Sequence, residues 1–433
     1  MIDAEYLAEV QANIEENVSS VNYEIVQAIA KRLIISIEKF NEPKLITSSL
    51  KNILQLEASG LLYEDIERIV EQSMPQFTKE VRKAFNDAIE RIEIFEDVEQ
   101  VERKMVPLDE PTLEEKQIVE EELKPKSERF SKEMKIKVDS AYRRTNGELK
   151  NLTRTTASAG QQRFVQILDE AYQKAQQGMS TNKVILDAIK QASVFGGEVV
   201  YPSGHRDKIE VAIARAVRTG INQANADIVL TRCGELGISY VKVSEHIGAR
   251  VTKQNDYTNH SWWQGQVYKL NWNDEALAKY RIDGVDYSDK DKPQYDTRKK
   301  NRKKGTSGKY VNTFKDFSVC GYGKIEGLCG INCRHTFSLF FPNLQDKPKS
   351  RIDKAENEKK YNAEQKARAM ERTIRKTKRE IEALKQYDTD EARELLAQAR
   401  EKLRQQSKTY ADFCRENKLR EREWSKTIPT TKE

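Results

Sequence analysis

Apolar side chains recur every three or four residues over much of this 433-residue chain, which is the spacing of a helix buried along one face. Such stripes occupy residues 23–37, 81–95, 164–172 and 184–189. A further stripe around Ile53 and Leu56 is predicted to end at Gly60, since glycine often stops a helix. The first segment is therefore predicted to be helical almost throughout.

The period changes in the middle of the chain. Three short stretches read as strands: Glu198–Tyr201, Ile238–Val243 and Gln266–Leu270. Between the first two, Ile209 to Val229 predicts a long helix, and Thr181-Asn182 is predicted to cap an earlier one. Strands and helices in this uneven order favour a mainly helical α+β fold over a doubly wound sheet.

Composition predicts four consecutive segments. Residues 1–95 are expected to form an acidic helical domain, and residues 96–135, with three prolines and repeated Glu, a charged linker. Residues 136–350 are predicted to be a central α+β domain with a surface insertion at about 273–310, where few residues are apolar. Residues 351–433 are predicted to be a basic helical tail.

The tail carries too few bulky apolar residues for a helix that is stable alone, so we expect a helical hairpin or coil that packs on a partner. Its turn is predicted at residues 387–390. Five basic residues crowd one stretch: Arg372, Arg375, Lys376, Lys378 and Arg379. We therefore expect the tail to lie outside the core of the central domain and to order against an acidic segment of the same or a neighbouring copy, or against nucleic acid.

Charge is unevenly distributed. Residues 1–135 carry 18 basic and 30 acidic side chains, whereas residues 136–350 carry 34 and 22. This separation indicates different partners for the two regions, a protein surface for one and nucleic acid or an acidic assembly for the other. Solvated helix faces of unequal sign would give the same counts.

Several classes of protein are disfavoured. No run of about 18 apolar residues is present, which argues against a membrane-spanning helix. The N-terminus has neither a basic leader nor an apolar signal core, so a soluble cytosolic protein is expected. The five cysteines are odd in number and three of them lie close together, which favours reduced thiols over a disulfide framework.

Three separated stretches carry a resemblance that periodicity cannot provide. They are Ala216–Asn225, Val243–Arg250 followed by Trp263–Tyr268, and Gly321–His335. Together they resemble the phage minor capsid protein 2 family, and Tyr361–Lys378 is similar to the tail of that family. The resemblance implies a low-copy structural protein of the virion head. It further implies synthesis in the host cytoplasm, several copies per virion, and the portal protein, the major capsid protein or both as partners, with packaged DNA as a further contact and no membrane.

The motif residues are predicted to meet in a mostly buried, hydrogen-bonded hub, because buried polar groups must pair. The residues that define this structural motif are His246, Gly248, Arg250, Trp263, Gln264, Gly265, Asn332 and Arg334. His335 is expected to join them.

Cysteine and histidine within the motifs suggest zinc, for which thiolate and imidazole are preferred ligands. The candidate ligands are Cys329, Cys333, His335 and His260. Their Cys-x3-Cys-x-His spacing lies near the usual close pairs without matching them, and buried small residues beside glycine turns explain the same pattern. Apart from this zinc alternative, no cofactor is expected.

A catalytic set can also be assembled from Glu245, His246, Arg250, Arg334 and His335, as a nuclease or a ribosyl-transfer enzyme would need. The acidic residues of a two-metal nuclease are missing from the motifs. We therefore expect no catalytic residues and no enzyme, and keep a virion-carried enzyme delivered with the genome as the alternative.

One basic run is the best candidate for nucleic-acid or partner binding, since clustered Lys and Arg gain from counterion release. It consists of Arg298, Lys299, Lys300, Arg302, Lys303 and Lys304. A solvated loop is the competing interpretation.

Overall fold

The computed structural model describes residues 2–40, 48–91, 113–287, 314–340 and 352–422. Over these ranges the chain forms nine α-helices and two small sheets, one of two strands and one of four. The predicted mainly helical α+β class is confirmed. No helix within these ranges is both long and apolar enough to cross a bilayer.

Two long helices begin the chain, α1 (Ala4–Phe40) and α2 (Ser48–Arg91). The predicted stripe of α1 is buried, including Ile25, Ile29, Leu33 and Ile37. The prediction that Gly60 ends a helix is wrong, because α2 continues through it. An interior glycine costs a helix roughly 0.5–1 kcal/mol. Burial of Leu62, Ile66 and Val70 downstream offsets that cost.

Three more helices follow: α3 (Leu113–Gln176), α4 (Thr181–Phe195) and α5 (Ile209–Leu236). Residues 113–135, predicted to be linker, are helical, because the Glu and Lys residues that dominate them are good helix formers. Pro107 and Pro111 lie outside the described residues. The cap predicted for α4 is wrong by one position, since Ser180 with extended backbone is its N-cap and makes no side-chain cap bond.

The predicted strands are present. Strands β1 (Glu198–Val200) and β2 (Arg206–Lys208) form an antiparallel pair. The larger sheet has the order β5-β4-β3-β6 and consists of β3 (Tyr240–Val243), β4 (Val267–Lys269), β5 (Lys315–Asp316) and β6 (Phe337–Leu339). Strand β3 pairs antiparallel with both β4 and β6, whereas β5 is parallel to β4. Two single-turn helices, α6 (His260–Trp263) and α7 (Glu275–Ala278), flank β4 in the chain.

The surface insertion predicted at about 273–310 is in part core. Leu277 and Tyr280 are buried in one apolar cluster with Trp272 and the sheet residues Val241 and Tyr268. They are widely spaced in the sequence, so the segment looked polar although Leu277 and Tyr280 point inward. Residues 288–313 lie outside the described part of the chain.

The chain divides into two compact units, and each collects three stretches. The sheet unit comprises Met1–Glu9, Arg82–Arg144 and Val217–Tyr361 and contains the four-stranded sheet. The helix unit comprises Val10–Val81, Thr145–Ala216 and Asn362–Glu433. The four consecutive segments predicted from composition, with boundaries near residues 95, 135 and 350, describe parts that fold independently. These boundaries stay predictions.

The last two helices are α8 (Lys354–Leu384) and α9 (Asp390–Glu416), with the turn between them where it was predicted. They form a hairpin in which the Tyr410 hydroxyl donates to Glu371 at 2.9 Å. The prediction that this tail lies outside the core is wrong: Ile374 and Ile381 are fully buried, and Arg379 Nε donates to the backbone oxygen of Ser193 at 3.0 Å. The apolar stripe of α8 is thin, and the rest of its buried face consists of charged side chains whose bonding partners lie within the helix unit.

Candidate functional site

The strand ends of the sheet unit bring the sequence motifs together. Val243 of β3 is opposite Phe337 of β6, so Ser244 and Thr336, the next residues, are also neighbours. The Ser244 amide donates to the Thr336 oxygen at 2.8 Å, and the Gly265 amide donates to the Ser244 oxygen at 3.3 Å. The loops that leave β3, enter β4 and enter β6 therefore start side by side.

Gln264 joins these three loops through its side-chain oxygen. Oε1 accepts the His246 amide at 3.0 Å and lies 3.1 Å from His335 Nε2. Because a carboxamide oxygen only accepts, Nε2 of His335 carries the hydrogen, and the unprotonated Nδ1 is left as an acceptor that faces Cys333 Sγ. The rings of His246 and His335 are stacked with centroids 4.4 Å apart.

His260, at the start of α6, is held in the same way. Its Nε2 lies 2.8 Å from the Glu326 backbone oxygen, which also only accepts, so Nδ1 of His260 is unprotonated. His260, Cys333 and His335 each offer a ligand atom, and these atoms lie within 4.8 Å of one another. Cys333 Sγ lies 3.7 Å from His335 Nδ1. The side chains are at most 2% exposed.

Burial dominates the electrostatics of this cluster. It lowers the pKa of His335 well below its usual value, that of His260 to about 4 and that of His246 to about 3. Desolvation also raises the pKa of the Cys329 and Cys333 thiols. In the metal-free protein at neutral pH, the rings are uncharged and the thiols are protonated.

The turn from Cys329 to Cys333 has an unusual backbone. Cys329 and Asn332 both adopt positive φ, 59° and 62°, which is uncommon for residues other than glycine. Helix α5 supports the turn, because Arg218 Nη2 donates to Asn332 Oδ1 at 2.8 Å and Asn222 Nδ2 donates to the His335 oxygen at 3.1 Å. Cys329 Sγ is 3.6 Å from Asn222 Oδ1.

The structure brings together most of the predicted hub. Trp263 and Gln264 are buried beside His335, with the Trp263 ring centroid 4.8 Å from that of His335. Arg334 Nη2 donates to the Gly248 oxygen at 3.3 Å. Two members lie at the margin of the hub.

Arg250 pairs with Glu326 at 3.3 Å and is partly exposed. Asn332 is exposed, against the prediction of a buried side chain, because its left-handed backbone turns it outward. Gly265 also has positive φ, 70°, a left-handed backbone conformation that glycine adopts without the steric cost that other residues meet. Of the four predicted zinc ligands, Cys329 is not in the close group.

Sequence reasoning missed Asn357 in α8. Its Oδ1 accepts the amides of Gly248 and Ala249, both at 2.9 Å, and its Nδ2 donates to the Ala249 oxygen at 3.1 Å. Its side chain is fully buried. A short amide residue within the first turns of a Lys- and Glu-rich helix was the available signal, since Asn favours side chain–backbone bonds over helix interiors.

The basic run that was predicted to bind nucleic acid or a partner lies outside the described residues. It consists of Arg298, Lys299, Lys300, Arg302, Lys303 and Lys304.

Comparison with known families gives one result that covers nearly the whole chain. The model of a family described as phage minor capsid protein 2 matches residues 2–415. The match includes all three motif stretches, the whole of α8, and α9 except for its last residue. Comparison with curated proteins and with solved structures gives no significant match.

Proposed function

Since the chain belongs to the phage minor capsid protein 2 family, we propose that it is an architectural component of the head that works at or near the portal. A member of this family is a structural protein of the phage virion, where it contacts other virion components. The partners we propose are the portal protein, the major capsid protein or both, with several copies in each virion. Synthesis takes place in the host cytoplasm.

The observation that carries an architectural rather than a catalytic role is the burial of the motif hub. A catalytic acid, base or thiol needs access to substrate and a pKa near the working pH. His335 and Cys333 are buried, and desolvation moves their pKa values away from neutrality in the unreactive direction. The alternative catalytic set includes His335, and desolvation lowers the pKa of its other histidine, His246, to about 3. We propose that none of them is catalytic.

Contact with packaged DNA is the second part of the proposal, and the excess of basic residues in 136–350 favours it. Replacing the six basic residues of the run at 298–304 with Gln should weaken binding of duplex DNA and make it less sensitive to salt. Each phosphate contact that is lost lowers the slope of log K against log salt by about 0.9. An unchanged slope would remove this run from the DNA contact.

The architectural role is tested in a phage whose gene for this protein is deleted and supplied from a plasmid. Without the plasmid, we expect defective heads or heads that lack DNA, and with it we expect the protein in purified virions by mass spectrometry. Reconstruction of the virion without imposed symmetry should show it at the portal vertex. Normal, DNA-filled heads that fail only after ejection would instead favour the virion-carried enzyme.

A further inference from the structure

Two histidines of the hub are prepared as metal ligands. His335 and His260 both use Nε2 as a donor, to Gln264 Oε1 and to the Glu326 backbone oxygen, which leaves both Nδ1 atoms as lone-pair donors. Metal-binding histidines almost always show this arrangement, in which the second ring nitrogen donates to a carbonyl or a carboxylate. Gln264 is itself fixed by the His246 amide, so the tautomer of His335 is set by the backbone.

The distances fit a small tetrahedral ion. Zinc lies about 2.3 Å from a thiolate and about 2.0–2.1 Å from a histidine nitrogen. Tetrahedral angles then separate sulfur and nitrogen by roughly 3.6 Å. Cys333 Sγ and His335 Nδ1 are 3.7 Å apart, and the ligand atom of His260 is within 4.8 Å of both.

We infer that His260, Cys333 and His335 bind a structural zinc ion and that Cys329 supplies its fourth ligand. The reason for Cys329 is charge. Zinc with one thiolate would leave one net positive charge in a buried site close to Arg334, and burial of an uncompensated charge is costly. Two thiolates and two neutral imidazoles make the site neutral.

Cys329 must turn to reach the ion, and its contacts allow this. As a thiol it donates towards Asn222 Oδ1 at 3.6 Å and towards the His335 oxygen at 3.7 Å. A thiolate cannot donate to either oxygen, so loss of its proton removes both reasons for its present orientation. Binding of Zn²⁺ therefore releases two protons, one from Cys329 and one from Cys333, and forms two Zn–S and two Zn–N bonds.

The zinc site also explains why two residues of the turn adopt positive φ. The left-handed backbone at Cys329 and Asn332 folds the five residues into a tight turn that keeps Cys329 beside Cys333 and His335, from where its side chain can rotate towards the ion. The inference is independent of the head role: a zinc-free protein could still assemble at the portal, and a protein with zinc could fail to do so.

Metal analysis of the intact chain tests the inference. After expression with added Zn²⁺ and gel filtration, we expect about one zinc per chain. Cys333→Ser and His260→Ala should reduce this at least tenfold, whereas Cys320→Ser, which alters another buried thiol of the same apolar cluster, should keep it. Less than about a tenth of a zinc per chain in the unaltered protein, or equal loss in Cys320→Ser, would overturn the site.

Cobalt titration of the unaltered protein is a test that does not depend on how any variant folds. The unaltered protein with Co²⁺ should show the visible absorption of tetrahedral cobalt and a thiolate charge-transfer band, and Cys329→Ser should reduce that band about twofold, since band intensity scales with the number of thiolates. No tetrahedral spectrum in the unaltered protein would overturn the site. Full retention of the band in Cys329→Ser would overturn its assignment as the fourth ligand.

Discussion

The side chain of Asn357 makes three buried hydrogen bonds to the backbone of a distant loop. Its amide group pairs two backbone amides and one backbone oxygen of the 248–249 segment, next to the motif hub. A buried donor that loses its partner costs about 1–3 kcal/mol. The residue therefore fixes the loop that follows β3.

Replacing Asn357 with Ala should lower the free energy of unfolding by about 2–5 kcal/mol, since two amides are left without an acceptor. The exposed neighbour Glu358→Ala is the matched control and should change it by less than about 0.5 kcal/mol. Urea denaturation followed by circular dichroism measures both. Equal effects of the two variants would contradict the role given to Asn357.

Lys378 should make stability depend on pH. It is buried in the helix unit, and desolvation lowers its pKa to about 8, opposed by the charge of Glu16. Below pH 8, the folded and unfolded states are both charged at this site, so its contribution is constant. Above pH 8, the folded state loses its proton while the unfolded state keeps it up to about 10.4, so stability rises with pH over this range.

We expect the free energy of unfolding to increase by about 1–3 kcal/mol more between pH 7.5 and 10 in the unaltered protein than in Lys378→Met. The variant should also be the more stable of the two at neutral pH. Lys376→Met, at an exposed position of the same helix, should keep the pH dependence. If Lys378→Met shows the same slope as the unaltered protein, the buried lysine is not its source.

Among individual residues, the sequence predicted some members of the candidate zinc site and its supporting contacts and missed others. Cys333, His335 and His260 could be chosen because few residue types bind zinc and these lie within the motifs. The roles of Asn222 and Asn357 could not be predicted, because both bond to loops more than 100 residues away: the first motif stretch contains Asn222 and helix composition makes Asn357 unusual, but neither signal identifies the partner. The outward turn of Asn332 depends on a backbone angle that composition does not reveal.

Helices α1 and α8 show how a helix with few apolar residues can still be part of a core, because a buried ion pair joins the two helices. Glu15 and Arg375 pair at 3.1 Å, and their side chains are 6% and 8% exposed. Burial raises the pKa of Glu15, but the charges of Arg375 and Arg422 outweigh that and hold it below its usual value. The acidic first segment predicted as a partner of the tail therefore supplies a buried partner within the same chain.

Removing one partner of the Glu15–Arg375 pair should destabilise the protein, whereas replacing both partners with apolar residues should not. Glu15→Ala should lower the free energy of unfolding by about 3–5 kcal/mol, since it removes the partner of a buried guanidinium. The double variant Glu15→Leu with Arg375→Met should recover most of that loss, because an apolar pair of similar volume avoids desolvation. Additive losses in the double variant would contradict this.

An exposed pair on the neighbouring helix is the control. Arg393 contacts Asp390 at 2.9 Å, but the side chains are 62% and 91% exposed. Such pairs contribute about 0–1 kcal/mol, so Arg393→Ala should be nearly neutral by the same denaturation assay.

Helical periodicity correctly located most helices but not their ends. The stripe of α1 follows the 3.6-residue period closely, so its burial was predictable. Helix α2 passes through Gly60 because downstream packing exceeds a local preference of about 1 kcal/mol, and such packing is decided by residues far away in the sequence.

In the whole molecule, segments that are consecutive in the sequence do not form consecutive compact units. Each unit collects three stretches, and α8 contributes Lys354–Tyr361 to the sheet unit and its remaining residues to the helix unit. Changes in composition along a chain show where neighbouring segments differ, but they do not show which segments pack together. For this reason the sequence indicated a separate tail, whereas both units include part of α8.

Removing residues 352–433 should therefore abolish cooperative folding. The deletion takes Asn357 from the sheet unit and the buried Ile374, Arg375 and Ile381 from the helix unit, and leaves Glu15 without its partner. Exposed core surface and unpaired buried polar groups should give aggregation or a broad thermal transition in calorimetry.

A shorter deletion, residues 388–433, is the control, since it removes α9 but keeps α8. It loses the bond between Tyr410 and Glu371 and the burial of Leu403, which should lower the melting temperature while a single transition remains. A protein without residues 352–433 that still melts in one sharp transition, at the temperature of the full chain, would show that α8 is dispensable for the core. The C-terminal hairpin would then be free to serve assembly alone, as its composition first suggested.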